Sequence, residues 1–302
     1  MYKEIDSNKR RTALFLGMFL IFVIGLGYLL SWYFNNQFIL VLAVIIATVQ
    51  ALVSYYYSDS ITLMISGAKE VPRKEPFLDL HRLVENLSIT AGLPKPRIYL
   101  IEDSAPNAFA TGRDPKHAVI CVTSGLMEKL NKTELEGVIS HELSHIGNYD
   151  IRLMTMVVVL AGVVALLSDF FLRWTWFGGR RRSSDGGGQL QLILFIIAIV
   201  LAILAPLAAS LIQLAISRKR EFLADASGAL LSRYPEGLAS ALEKIAQDRE
   251  PLEAANKATA HLYISDPMKA HAGDSRGWFA SLFQTHPPVR DRVKRLREMI
   301  SK

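Results

Sequence analysis

The residues with the most chemical content stand at 141–145 and read His-Glu-Leu-Ser-His. On a helix, positions four apart share a face, so His141 and His145 can present both imidazoles to one divalent cation. Glu142 follows the first histidine and lies close enough to polarise a water on that cation. Zn²⁺, one per chain, is the ion this donor set suits. A zinc centre that performs chemistry takes three protein donors and keeps a fourth position open. Spacing does not fix the third donor. Glu221, Asp225, His261, His271 and His286 all qualify by residue type, and Glu221 and Asp225 share an expected helix face. The plainer alternative is a pair of surface histidines on a helix close to a membrane.

An element must hold this motif, and its flanks supply one. Leu135, Val138, Ile139 and Leu143 form an apolar face within residues 131–150, and Thr133 with Glu136 fits a capping box. Upstream, the spacing predicts an amphipathic helix over 77–91, stopped by Gly-Leu-Pro-Lys-Pro at 92–96. Residues 97–102 and 117–122 read as strands, and 107–112 as a weaker, more exposed one. A helix begins at 123–130, capped by Thr123 or Ser124. Cys121, the single cysteine, reads as a buried strand residue. His81 and His117 lack matching partners and read as surface positions. Downstream, helices are expected over 220–231, 236–247 and 289–300, with 265–285 irregular.

The rest of the chain is dominated by long uncharged blocks, and 51% of all residues are hydrophobic. Residues 12–30 are long enough in a helix to cross the roughly 30 Å hydrocarbon layer. A polar break at Asn35, Asn36 and Gln37 precedes a second run at 38–57, whose closing tyrosines suit the headgroup level. The second run and the lack of a small-residue cleavage site argue for a retained helix over a signal peptide. Runs at 153–171 and 190–216 predict a second hairpin, crossing or embedded in the membrane. The net charge is +6, and the basic clusters at 9–11 and 218–220 flank apolar runs. That placement suits lipid headgroups, not nucleic acid. The expected fold class is therefore membrane α-helical hairpins plus an α+β zincin-like metallopeptidase domain. The hairpins are 1–65 and 151–216, and the domain is built from two discontinuous segments, 66–150 and 217–302. Lysine and arginine bias puts both termini and this domain on the cytoplasmic side, although Arg173 and Arg180 to Arg182 run against it.

Two apolar runs before His-Glu-Leu-Ser-His and two before Glu-Phe-Leu-Ala-Asp at 221–225 resemble the HtpX-type membrane metallopeptidases, relatives of the CAAX prenyl peptidases. The resemblance spans nearly the whole chain. It implies that Glu221 is the third zinc ligand and that Asp225 orients a ligand histidine. The Pro-Asn-Ala-Phe-Ala-Thr-Gly segment at 106–112 implies an edge strand, with Asn107 and Ala108 pairing with substrate backbone. The Thr-His-Pro-Pro-Val-Arg-Asp-Arg segment at 285–292 implies that His286 and Arg292 support the oxyanion. The implied activity is endopeptidase cleavage of misfolded or damaged membrane proteins, at an inner or plasma membrane. Two other classes stand beside it. A prenyl-protein peptidase is disfavoured by the small number of spans. A nonproteolytic zinc-bearing scaffold is disfavoured by the presence of Glu142.

Overall fold

The computed structural model describes residues 2–160, 218–255, 259–267 and 287–300. The expected run at 190–216, most of that at 153–171, and His271 and His286 lie outside the described residues.

Two long helices open the chain, α1 (Tyr2–Tyr33) and α2 (Gln37–Tyr56). Asn35 takes a left-handed turn at φ 51°, and the Asn36 side chain accepts from the Phe38 N–H to cap α2. Both helices are long and apolar enough to cross a membrane. Ile21, Trp32, Phe38 and Ile46 are exposed on them, as lipid-facing residues would be. A methyl group added at Gly27 would overlap the Ala43 side chain, so the two backbones meet closely through small residues.

An α+β domain follows, with α3 (Ser58–Ile65), β1 (Lys69–Glu70), α4 (Leu78–Ala91), β2 (Arg97–Ile101), β3 (Ala108–Thr111), β4 (Val119–Thr123), α5 (Ser124–Lys129) and α6 (Lys132–Gly147). Residues 150–160 form α7. The described part then resumes with α8 (Arg218–Ser232), α9 (Pro235–Gln247) and α10 (Val289–Glu298). The sheet order is β1-β2-β4-β3, with β2 and β4 parallel and the outer pairings antiparallel.

Both faces of this small sheet are covered. Ile98, Leu100, Ala110, Ile120 and Val122 pack into the main core with Val84, Val138, Ile139, Leu238, Leu242 and Leu296. Ile101, Phe109, Val119 and Cys121 point into a second cluster with Leu63, Met154, Val158 and Tyr263. Double coverage explains why 119–122 is apolar at every position instead of alternating. It also corrects two expectations. β3 is an edge strand, but all four of its residues are buried. His81 is buried as well, and its Nε2 lies 3.1 Å from the Val71 carbonyl.

The cap of α6 lies two residues earlier than expected. The Asn131 side chain accepts from the Glu134 N–H, and the Glu134 carboxylate accepts from the Asn131 N–H. Thr133 sits inside the first turn, its hydroxyl donating to Asn131. The charged stretch at 67–76 contains β1, and the residues just before it form α3.

Two glycines let neighbouring helices touch α6. A methyl at Gly228 of α8 would stand 2.9 Å from the His141 backbone nitrogen and 3.0 Å from its Cα. A methyl at Gly137 of α6 would likewise crowd the Leu238 backbone of α9. Backbone cannot step aside as a side chain can, so Gly228→Ala is expected to cost about 1–3 kcal/mol. Thermal unfolding in detergent measures this, and an unchanged midpoint would show that α8 has room to withdraw.

Candidate metal centre

Helix α6 carries His141 and His145 one turn apart, with their Nε2 atoms 3.1 Å from each other. Across the Gly228 contact, α8 brings Glu221 and Asp225, one turn apart on its own inner face. Glu221 Oε2 lies 4.0 Å from His141 Nε2, and Oε1 lies 3.6 Å from His145 Nε2. His141, His145 and Glu221 are the one group of three or more potential metal donors found among the described residues, and all three are buried.

The donors fit a zinc ion. Zinc–ligand bonds of about 2.0–2.2 Å in a tetrahedron set the donors about 3.3–3.6 Å apart, within the spread of these separations. The tautomers also fit. His141 Nδ1 lies 2.9 Å from Asp225 Oδ1, and His145 Nδ1 lies 3.0 Å from Asp150 Oδ2. A carboxylate on each Nδ1 keeps a proton there and leaves both Nε2 lone pairs for a cation.

The charges point the same way. Burial pushes His141 down to about 4, so it stays neutral. Burial opposes charge on His145 too, yet the Asp150 and Glu221 carboxylates outweigh it and raise His145 to about 9. A proton on His145 thus does for those carboxylates what a cation at Nε2 would do. Burial would lift Asp225, but the Arg292 guanidinium holds it down at about 2.

Glu142 faces the same space from the next position of α6. Burial pushes it up to about 7, against opposing contributions that include an N–H from Ala110 of β3. Its Oε1 is buried with no hydrogen-bond partner among the described residues. A carboxylate oxygen in that condition is one awaiting a donor such as water.

The other expected site residues are placed as follows. Asp225 is bonded to His141 from behind. Arg292 is fully buried and donates to both Asp225 oxygens, from Nε at 2.8 Å and from Nη2 at 2.6 Å. Its Nη1 donates to the Ile264 carbonyl at 2.8 Å. Asn107 donates to the Ser265 carbonyl, and the outward Ala108 carbonyl accepts from Ile264 N–H at 2.9 Å. His261, another candidate donor, lies apart from the cluster, with its Nε2 3.5 Å from the Met154 carbonyl.

Sequence reasoning passed over Asp150. The signal was a carboxylate five residues after His145, just beyond the end of α6. Tyr149 at φ 59° turns the chain so that Asp150 folds back onto the ring.

With the geometry in place, comparison with known proteins gives concordant matches. The family model described as Peptidase family M48 matches residues 74–300. A protein named Protease HtpX homolog from Caldanaerobacter subterraneus subsp. tengcongensis is 46% identical over 303 residues, covering 99% of this chain and 98% of that one. Its namesake from Tropheryma whipplei strain TW08/27 is 46% identical over 299 residues, with coverage of 99% and 98%. That from Levilactobacillus brevis is 44% identical over 306 residues, with coverage of 99% and 100%. The crystal structure of S. mikatae Ste24p is a looser likeness, with a TM-score of 0.49 and 19% identity, covering 98% of this chain and 67% of that one. A match through both halves of the metal centre, joined to full-length relatives, means that the chain belongs to peptidase family M48 and is a membrane-associated zinc metalloprotease.

Proposed function

We propose that this protein is an endopeptidase that cuts misfolded or damaged membrane proteins at the cytoplasmic surface of the cell membrane, with Glu142 as general base. The observation that carries the reading is the unpartnered, buried Glu142 oxygen beside the His141, His145 and Glu221 donors. These three residues would hold one zinc ion per chain. Bound zinc supplies a Lewis acid for the scissile carbonyl and acidifies the attacking water.

The chain's own residues do the rest. Glu142 takes the water proton and passes it to the leaving amine. The Ala110 N–H holds the carboxylate in place. Asp225 and Asp150 orient the two imidazoles, and Arg292 acts through Asp225, whose charge it holds. Its three hydrogen-bonded nitrogens favour this positioning role over direct support of an oxyanion. His286 is retained as the candidate oxyanion donor.

The outer edge of β3 is the binding strand in this reading. An extended peptide added there by backbone pairing would take the place that Ile264 and Ser265 hold against Ala108 and Asn107. Backbone pairing recognises little sequence, so the substrate range would be broad. The deciding comparison is cleavage of an unfolded membrane-protein substrate by the wild type and by Glu142→Gln. Equal cleavage by both would sink the reading.

Orientation is tested separately. Single cysteines are placed at Ser184 and Ser275 in a Cys121→Ser background and treated with a membrane-impermeant thiol reagent. In intact cells, labelling is expected at 184 and not at 275. Labelling at 275 would overturn the cytoplasmic assignment.

A further inference from the structure

Behind the metal centre, the first membrane helix reaches into the catalytic domain. Asn8, near the start of α1, is 1% exposed. Its Nδ2 donates to Asp150 Oδ1 at 2.7 Å and to the Asn148 carbonyl at 2.9 Å. Its Oδ1 accepts from Arg220 Nη1 at 3.1 Å. Both amide hydrogens and the carbonyl are therefore used.

Each partner belongs to the centre. Asp150 orients His145 through its other oxygen, at 3.0 Å. Asn148 is the residue that ends α6. Arg220 directly precedes Glu221, and its Nε lies 3.6 Å from Asp150 Oδ1. One asparagine thus joins the end of the His141–His145 helix, the carboxylate behind His145 and the start of the helix that carries Glu221.

The side-chain chemistry is exacting. Asp150 offers an acceptor, Asn148 a second acceptor and Arg220 a donor. Only a primary amide meets two acceptors and a donor from one short side chain. An aspartate at position 8 keeps the shape and the bond to Arg220, but turns acceptor oxygens toward Asp150 and the Asn148 carbonyl. A separate contact seats the same helix: the Lys9 ammonium lies 4.8 Å from the centre of the Tyr149 ring.

We propose that Asn8 is a positioning residue of the metal centre, fixing Asp150 against His145 so that metal affinity depends on the bond that the first membrane helix delivers to Asp150. The proposal rests on the zinc-site reading above. Groups that orient ligand histidines from behind typically govern about 10–100-fold in metal affinity.

The test uses the full-length chain in detergent, made catalytically silent by Glu142→Gln so that it does not cut itself. Zinc affinity is measured by competition with a chromogenic chelator, and the cobalt-substituted protein reports ligand geometry by visible absorption. In this parent, Asn8→Ala and Asn8→Asp are each expected to weaken zinc binding about tenfold or more and to change the cobalt spectrum. In an Asp150→Ala background, Asn8→Ala should add less than about twofold, because the residue through which it acts is gone. Lys9→Ala removes one contact of the same helix, that with the Tyr149 ring, and leaves the Asn8–Asp150 bond in place. It serves as the control for general destabilisation and should bind zinc like the parent.

Parental zinc affinity and cobalt spectra in both Asn8 variants would overturn the proposal. So would an equal loss from Asn8→Ala in the two backgrounds, or a Lys9→Ala loss as large as that of Asn8→Ala. If Asn8→Ala fails to fold, the isosteric Asn8→Asp variant decides the matter alone. A parent that binds no zinc would instead refute the zinc-site reading, so the two failures are told apart.

Discussion

Glu142→Gln is expected to keep zinc and to lose peptide hydrolysis by about 10²–10⁴-fold, the range that a positioned general base contributes. The substitution is nearly isosteric. A glutamine carbonyl can still accept the Ala110 N–H, so β3 and α6 stay in register. What disappears is the ability to take a proton. The side chain is not among the three clustered donors, so metal content should hold at the wild-type value. The checks are metal analysis and product formation on the same sample, with an unfolded membrane protein as substrate. Turnover within about tenfold of wild type would exclude Glu142 as the base. Loss of zinc in this variant would recast Glu142 as a ligand.

Glu221→Ala should be the most damaging change at the metal itself. It removes one of three donors and leaves two imidazoles, too few for a protein zinc site of the usual kind. It also removes a carboxylate that favours positive charge on His145. Zinc content after dialysis against a weak chelator should fall to background, and proteolysis should fall with it. Full zinc retention would refute Glu221 as a ligand and send the search to residues 268–286, which contain His271 and His286. Asp225→Ala should differ in kind. It leaves all three donors but strands the fully buried Arg292 without its carboxylate. Breaking a buried pair in this way costs about 3–5 kcal/mol of stability.

Much of this arrangement was legible in the chain, and the reason is periodicity. His141 and His145 declare a helix face by spacing alone, as do Glu221 and Asp225, and the structure sets those two faces against each other. The strands at 97–101 and 119–123 were visible as short apolar runs. Burial of β3 was not, because Ala108, Ala110 and Thr111 are small or polar, and only the cover supplied by distant segments hides them. His81 misled for a similar reason, since its partner is a backbone carbonyl that no side-chain pattern announces. The capping box failed by two residues, because Asn131 and Thr133 both begin plausible boxes and the chain turns into α6 at the first. Asn8 and Asp150 were passed over, and Arg220 was read only as part of a headgroup-facing basic cluster, whereas it is buried against them. They meet across 142 and 212 positions of chain. A hydrogen-bonded junction of single residues leaves no repeat to read.

The unbroken course of α1 sets a distance. Asn8 touches the end of α6, and the uncharged stretch of the same helix begins at Thr12. Four residues of helix rise about 6 Å. The end of α6 behind the metal centre is therefore pinned at a set distance from the apolar stretch of α1, by a rod that cannot shorten without breaking its own hydrogen bonds. A polypeptide leaving the bilayer beside that rod needs only about two extended residues to climb the same height. A compact water-borne protein meets the opposite geometry, since the lipid surface blocks its approach from below. In the proposed reading, selection by altitude would require no recognition of sequence: whatever is unravelled at the waterline would come within reach.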